Sequence, residues 1–268
     1  MISHYRCPLC HQPLYQGGIS YRCNQNHQFD IAKEGYVNLL PVQNKKSKQP
    51  GDNAEMVAAR RAFFDTDHYH FLRDHLANRV AAMAPSTVLD LGCGEGFYTQ
   101  AIAQQCNSSQ VYGVDIAKTA VRYGAKRYSQ VNFSVASIKD APFADGFADV
   151  IVSVFAPVFA EELARLASQT GKLIVVAPGP RHLFELKSLI YQEVKLHKTP
   201  DVPDGFALDT SKQLEQTQTF DYECVQNLVM MTPFAWKFKQ EHFEQLEKLG
   251  KIDITLSFVV SEYHKVEC

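Results

Sequence analysis

The stretch Val88-Leu89-Asp90-Leu91-Gly92-Cys93-Gly94-Glu95-Gly96 decides the fold. An apolar run closes on Asp90 and Leu91, three glycines alternate, and a helical pattern begins. Glycine lets the backbone turn sharply and lets a ligand lie against bare main chain. The following helix offers its N-terminal amides. Asp115 closes the next apolar run, 21 residues after Gly94. In nucleoside-binding sheets a carboxylate at that place takes the ribose hydroxyls.

A dinucleotide loop would read Gly-x-Gly-x-x-Gly. Here the third glycine comes one residue early and position 97 is Phe, which disfavours a nicotinamide oxidoreductase. The form Asp-x-Gly-x-Gly-x-Gly resembles motif I of the class I methyltransferases, whose donor, S-adenosylmethionine, has no pyrophosphate. Asp90, Gly92, Gly94, Glu95, Gly96 and Asp115 are therefore candidates for binding it. Glu95 has two readings: a charge near the donor's sulfonium, or a solvated helix start. Asp140, beyond Val135-Ala136-Ser137, also has two: a partner of the adenine amine, or an ordinary N-cap.

Outward from the loop, apolar runs bounded by Gly, Asp or Pro alternate with helical stretches. Strands are predicted at 87–91, 110–115, 131–135, 148–154, 172–177 and 252–260. Helices are predicted at about 53–64, 68–82, 96–105, 118–128, 159–168 and 182–195. This alternation implies an α/β fold: a mostly parallel, seven-stranded Rossmann-like sheet with helices on both faces. We expect a catalytic domain over 53–268, a basic linker over 41–52 and a small module over 1–40.

That module carries Cys7-x2-Cys10-x12-Cys23-x3-His27. Three thiolates and an imidazole, paired at short spacings, match a closed tetrahedral zinc site. Four filled positions leave no place for a catalytic water, so a folding role is expected. About 40 residues make too small a core to fold alone, and a metal supplies the missing stability. The seven cysteines are an odd number, and the N-terminus has no signal-peptide pattern. A cytoplasmic setting follows, with no membrane span.

Net charge is −2, but residues 1–50 hold six Lys or Arg against two carboxylates, leaving −6 on the remainder. A basic head on an acidic body would meet a polyanion at the head. Lys45, Lys46 and Lys48 form either a phosphate-contacting loop or a solvated charge run.

The fourth strand runs into Phe155-Ala156-Pro157-Val158. Methyltransferases of exocyclic amines carry Asn, Asp or Ser and then Pro-Pro-aromatic here, and this chain offers no such acceptor. Enzymes acting on pyrimidine C5 need a cysteine near this loop, and none is present. A ring nitrogen or a hydroxyl remains. Phe155 either stacks on a base or packs in the core.

Together, CPLC…CNQNHQFD, AKEGYVNLLP, PGDNAEMVAARRAFFDTDHYHFLR, VLDLGCGEGFYT, FAPVFAEEL, APGPRHLFELKSLIYQEV and MTPFAW cover nearly the whole chain. They resemble the bacterial 23S rRNA (guanine-N1)-methyltransferases of the RlmA (RrmA) type, in the form typical of Gram-negative bacteria. The resemblance implies a domain II hairpin of 23S rRNA as substrate and a homodimer. It implies zinc at Cys7, Cys10, Cys23 and His27, and donor contacts at Tyr69, Gly94, Glu95, Asp115 and His182. Guanine N1 lies on the Watson–Crick edge, so the base must leave its stack. A base must then take its proton, and Glu161, Glu162, His182 and Glu185 are the candidates. Rival readings are a small-molecule methyltransferase and a zinc-bearing RNA-binding protein without catalysis.

Overall fold

The computed structural model describes residues 2–42 and 53–266. Most of the expected linker, with Lys45, Lys46 and Lys48, lies outside the described residues.

Strands β1 (Ile2–Arg6), β2 (Pro13–Gly17), β3 (Ser20–Arg22) and β4 (Gln28–Asp30) form a small antiparallel sheet in that order. The chain then makes β5 (Val37–Asn38), α1 (Ala54–Phe64) and α2 (His70–Ala82). Asn53 caps α1 by accepting from the Met56 N–H at 2.8 Å. Alternation follows: β6 (Thr87–Leu91), α3 (Phe97–Gln105), β7 (Gln110–Asp115), α4 (Lys118–Arg127), β8 (Asn132–Val135), β9 (Ala148–Val154), α5 (Ala160–Leu166), β10 (Ala167–Pro178) and α6 (Phe184–Ile190). The end of the chain forms β11 (Phe206–Asp221), α7 (Tyr222–Met230), α8 (Gln240–Leu249) and β12 (Lys251–Lys265).

The large sheet runs β11-β12-β10-β9-β6-β7-β8-β5. β12 runs antiparallel to both β10 and β11; every other pair in this sheet is parallel. Seven strands were expected, and the eighth is β5. It comes from the end of the N-terminal module and adds to the β8 edge, with Val37 opposite Ser134 and Asn38 opposite Val135. The module is thereby built into the catalytic sheet.

Strand residues alternate between two cores. Val88, Val150, Val152, Ile174 and Val176 pack with α1, α2, α3, α6, α7 and α8. Leu89, Leu91, Ile151, Leu173 and Val175 face the other way. There α5 shares the face with the module, whose Tyr5, Leu14 and Leu39 are each less than 5% exposed. Burying a side chain of that size stabilises by about 2 kcal/mol, so these three hold the module firmly to the sheet. Helix α6 is shorter than the predicted 182–195. Leu183 adopts a left-handed φ of 56° before it, and Tyr191 is extended after it. Among the described residues no helix is long and apolar enough to cross a membrane.

Candidate active site and metal centre

The strand order reverses between β6 and β9, and ligands of such sheets bind at the carboxyl ends beside that point. The glycine turn lies there. Gly92 has φ +85° and Gly94 +55°, values that side chains rarely adopt. A Cβ on Gly92 would stand 2.5 Å from the Ala156 Cβ, so the loop after β9 packs directly on the glycine turn. A Cβ on Gly94 would meet nothing nearer than Arg60 Nη1, at 3.8 Å. Gly94 thus has room for a Cβ, with the Arg60 side chain in ordinary contact. Gly96 is bare for another reason: the Phe133 ring would lie 2.6 Å from its Cβ.

Asp115 ends β7 and holds the turn. Its Oδ2 accepts from the Gly94 N–H at 2.9 Å, and its Oδ1 accepts from the Ala117 N–H at 2.7 Å. Asp90 lies beneath the loop and does not reach into the mouth. It is 2% exposed, and its Oδ2 accepts from Thr99 Oγ1 at 2.6 Å. Burial, then the Asp115 charge, push its carboxyl up to about 7. Asp90 therefore ties β6 to α3 from beneath the loop, which corrects its place among the donor-binding candidates. Glu95 is 4% exposed, which removes its reading as a solvated helix start. Asp140 caps no helix, since none begins beside it. It accepts from Arg6 Nη2 at 2.7 Å and clamps β1 to the catalytic sheet.

Tyr69, just before α2, and His182, after β10, meet across the mouth. Tyr69 Oη lies 3.5 Å from His182 Nε2, and the Ser257 N–H donates to His182 Nδ1 at 3.3 Å. The second bond fixes the tautomer, leaving the proton on Nε2. Burial, then Lys187 and His197, push the imidazole down to about 3, so it is neutral. Its one lone pair is already engaged, which removes His182 from the candidate bases. Two more candidates serve the scaffold. Glu162 accepts from the Ala141 N–H at 2.6 Å and pairs with Arg165. Glu185 accepts from the Thr255 N–H and Oγ1, both at 2.8 Å. Glu161, in the first turn of α5, is exposed.

Phe155 is no core residue. It is 43% exposed, with φ +55°. Its ring lies nearly parallel to His182, at 21° and 6.3 Å. A bulky side chain in that conformation costs about 1–3 kcal/mol and persists where surroundings enforce it. Among the described residues five non-glycines have positive φ: His11, Asn26, Ala84, Phe155 and Leu183. Phe155 and Leu183 flank this mouth, and His11 and Asn26 shape the metal knuckles.

Each of those knuckles is closed by a backbone turn. The His11 N–H returns to the Cys7 carbonyl at 2.8 Å, and the Asn26 N–H to the Cys23 carbonyl at 3.0 Å. The donor atoms of Cys7, Cys10, Cys23 and His27 all lie within 4.8 Å of one another. His27 Nδ1 is 3.5 Å from both Cys7 Sγ and Cys23 Sγ, and Cys10 Sγ is 3.6 Å from Cys23 Sγ. Tetrahedral zinc with ordinary bond lengths requires about 3.6 Å between N and S and about 3.8 Å between sulfurs. The cluster fits that ion.

The sequence reading missed Phe133, Gly113 and Gly124. A Cβ on Gly113 would touch Cys93 Sγ at 3.0 Å, and one on Gly124 would meet the Glu95 carbonyl at 2.6 Å. The signal was available at Gly124, because glycine inside a helix costs about 1 kcal/mol and needs a packing reason.

Comparison with known proteins agrees with this geometry. Residues 5–48 match the family described as RlmA, N-terminal, and residues 88–174 match a methyltransferase domain. The chain is 30% identical to the 23S rRNA (guanine(748)-N(1))-methyltransferase of Streptomyces fradiae, over 97% of both chains. It is 27% identical, over 95% of both, to a Bacillus subtilis (strain 168) protein whose name proposes guanine-N1 methylation of 23S rRNA. A trans-aconitate 2-methyltransferase of Rhodopseudomonas palustris (strain BisB5) is 29% identical over 53% of this chain and 56% of its own.

Proposed function

The chain belongs to the 23S rRNA (guanine-N1)-methyltransferases, and from that premise we propose that it methylates N1 of one guanine in a domain II hairpin. It is an S-adenosylmethionine-dependent enzyme with a structural zinc. The observation that carries the reading is the left-handed glycine turn at 92–96 held by Asp115, with the strained Phe155 opening onto the same mouth.

Gly94 gives the donor bare backbone, Gly92 and Gly96 shape the turn against Ala156 and Phe133, and Asp115 takes the donor's ribose. Tyr69, Glu95 and His182 line the amino acid side. The donor, when bound, supplies an electrophilic methyl on a sulfonium. Phe155 offers its ring to the extruded guanine. Because the base must lie in line with the methyl, positioning carries much of the acceleration. Glu161 accepts the N1 proton. Its neighbour Glu162 and Glu185 hold backbone amides, and His182 has no free lone pair. Glu161→Gln should lower turnover roughly 100-fold while donor affinity holds.

Cys7, Cys10, Cys23 and His27 hold the zinc. The 1–40 module, with the basic 41–52 segment, meets phosphates and positions the RNA without reading its sequence. The protein works in the cytoplasm as a homodimer, which sedimentation of the purified enzyme would test. A small-molecule substrate would leave the module without a task, and the trans-aconitate enzyme aligns with only about half of the chain.

Deleting the gene and mapping primer-extension stops on the large rRNA tests the reading. A methyl on the pairing edge halts reverse transcriptase. One domain II stop should vanish and return on complementation. An unchanged pattern would overturn the proposal.

A further inference from the structure

The chain has one tryptophan, and it lies in the open. Trp236 is 79% exposed on the short 3-10 turn Ala235–Lys237. This turn is braced from both sides. The Lys237 N–H donates to the Phe234 carbonyl at 3.0 Å and the Phe238 N–H to the Ala235 carbonyl at 3.0 Å. Phe238 is 8% exposed and Phe234 packs on the core. The indole is thus held out by a hydrogen-bonded turn, with Phe238 buried on one side and Phe234 partly buried on the other.

Its surroundings are cationic and aromatic. Lys237 Nζ lies 4.2 Å from the Tyr191 ring centre and 5.2 Å from that of Trp236. Lys187 Nζ lies 5.8 Å from the Phe234 ring and donates to the His182 carbonyl at 2.6 Å. One lysine therefore connects this ledge to the active-site histidine.

We propose that Trp236, Tyr191 and Lys237 form a stacking ledge for an unpaired nucleotide of the substrate RNA, next to the guanine that enters the site. The inference rests on the RNA reading above. Aromatic faces accept any base, and an ammonium between them matches the adjoining phosphate. A purely apolar partner would have to desolvate Lys237, which argues against a hydrophobic protein surface.

The lone tryptophan is also the probe. Zinc-loaded full-length enzyme with S-adenosylhomocysteine is titrated with a domain II transcript. Filter binding of the labelled transcript is measured in parallel. Tryptophan emission should be quenched, saturating at the RNA concentration where filter binding saturates. Trp236→Ala should weaken RNA binding roughly tenfold or more, with donor affinity unchanged, while Trp236→Phe keeps most of it. Filter binding with steady emission and a Trp236→Ala variant of full RNA affinity would overturn the ledge alone. Emission that changes with protein concentration in the absence of RNA would assign Trp236 to a contact between copies and overturn it too. No filter binding at all would fell the RNA reading and the ledge together.

Discussion

At the scale of single residues, two positions expose the physics most clearly. Gly92 combines a φ of +85° with the Ala156 Cβ 2.5 Å from where its own Cβ would stand. Gly92→Ala adds left-handed strain of roughly 1–2 kcal/mol and pushes the loop after β9 away from the turn. Donor affinity should fall about tenfold or more, as titration calorimetry would record, while the far-ultraviolet dichroism stays native. Asp90 makes a different prediction. Its carboxyl is raised from 3.8 to about 7 in the fold. Between those values the folded chain keeps a proton that the unfolded chain has lost. This contribution is fully present below about pH 4, falls as pH rises towards 7, and then levels. Asp90→Asn keeps an acceptor for Thr99 but does not titrate. Urea midpoints of wild type and variant should therefore diverge in the variant's favour from pH 5 to pH 8. Parallel midpoints across that range would contradict the assignment.

At the scale of elements, the strands and the metal knuckles were the legible parts. Predicted 87–91, 110–115 and 148–154 coincide with β6, β7 and β9, because apolar runs ending in Gly or Asp have one good solution in a parallel sheet. The cysteine and histidine spacing identified its own cluster, since short paired spacings leave few alternatives. Tertiary contacts were hidden. Nothing local marks Val37–Asn38 as an edge strand of the catalytic sheet, and nothing in the sequence joins Asp140 to Arg6. The same blindness gave His182 a catalytic reading, because its engaged nitrogen depends on the Ser257 amide 75 residues on. The module's dependence on zinc can be measured. Its buried residues are few, so stripping the metal with a chelator should melt β1–β4 and expose the face around Tyr5 and Leu14. Hydrogen exchange should rise across residues 2–30 and at Phe143, whose ring lies 5.0 Å from that of Tyr5. Restoring zinc should reverse both. Unchanged protection in the stripped protein would show that the donors serve no structural ion.

At the scale of the whole molecule, the zinc module and the methyl-transfer sheet are one body. The module contributes a strand to the sheet, covers part of one face and is clamped by Arg6 to the segment beyond β8. If the head grips the RNA as proposed, that RNA is held in fixed register with the donor pocket, which is what in-line transfer to a single nitrogen needs. The most direct test supplies zinc-loaded enzyme with methyl-labelled S-adenosylmethionine and 23S rRNA transcribed without modifications. The RNA is then digested and its nucleosides separated by mass. All label should appear as 1-methylguanosine, at one methyl per transcript. Label on another nucleoside, or an unlabelled RNA beside an enzyme that binds its donor, would contradict the central claim.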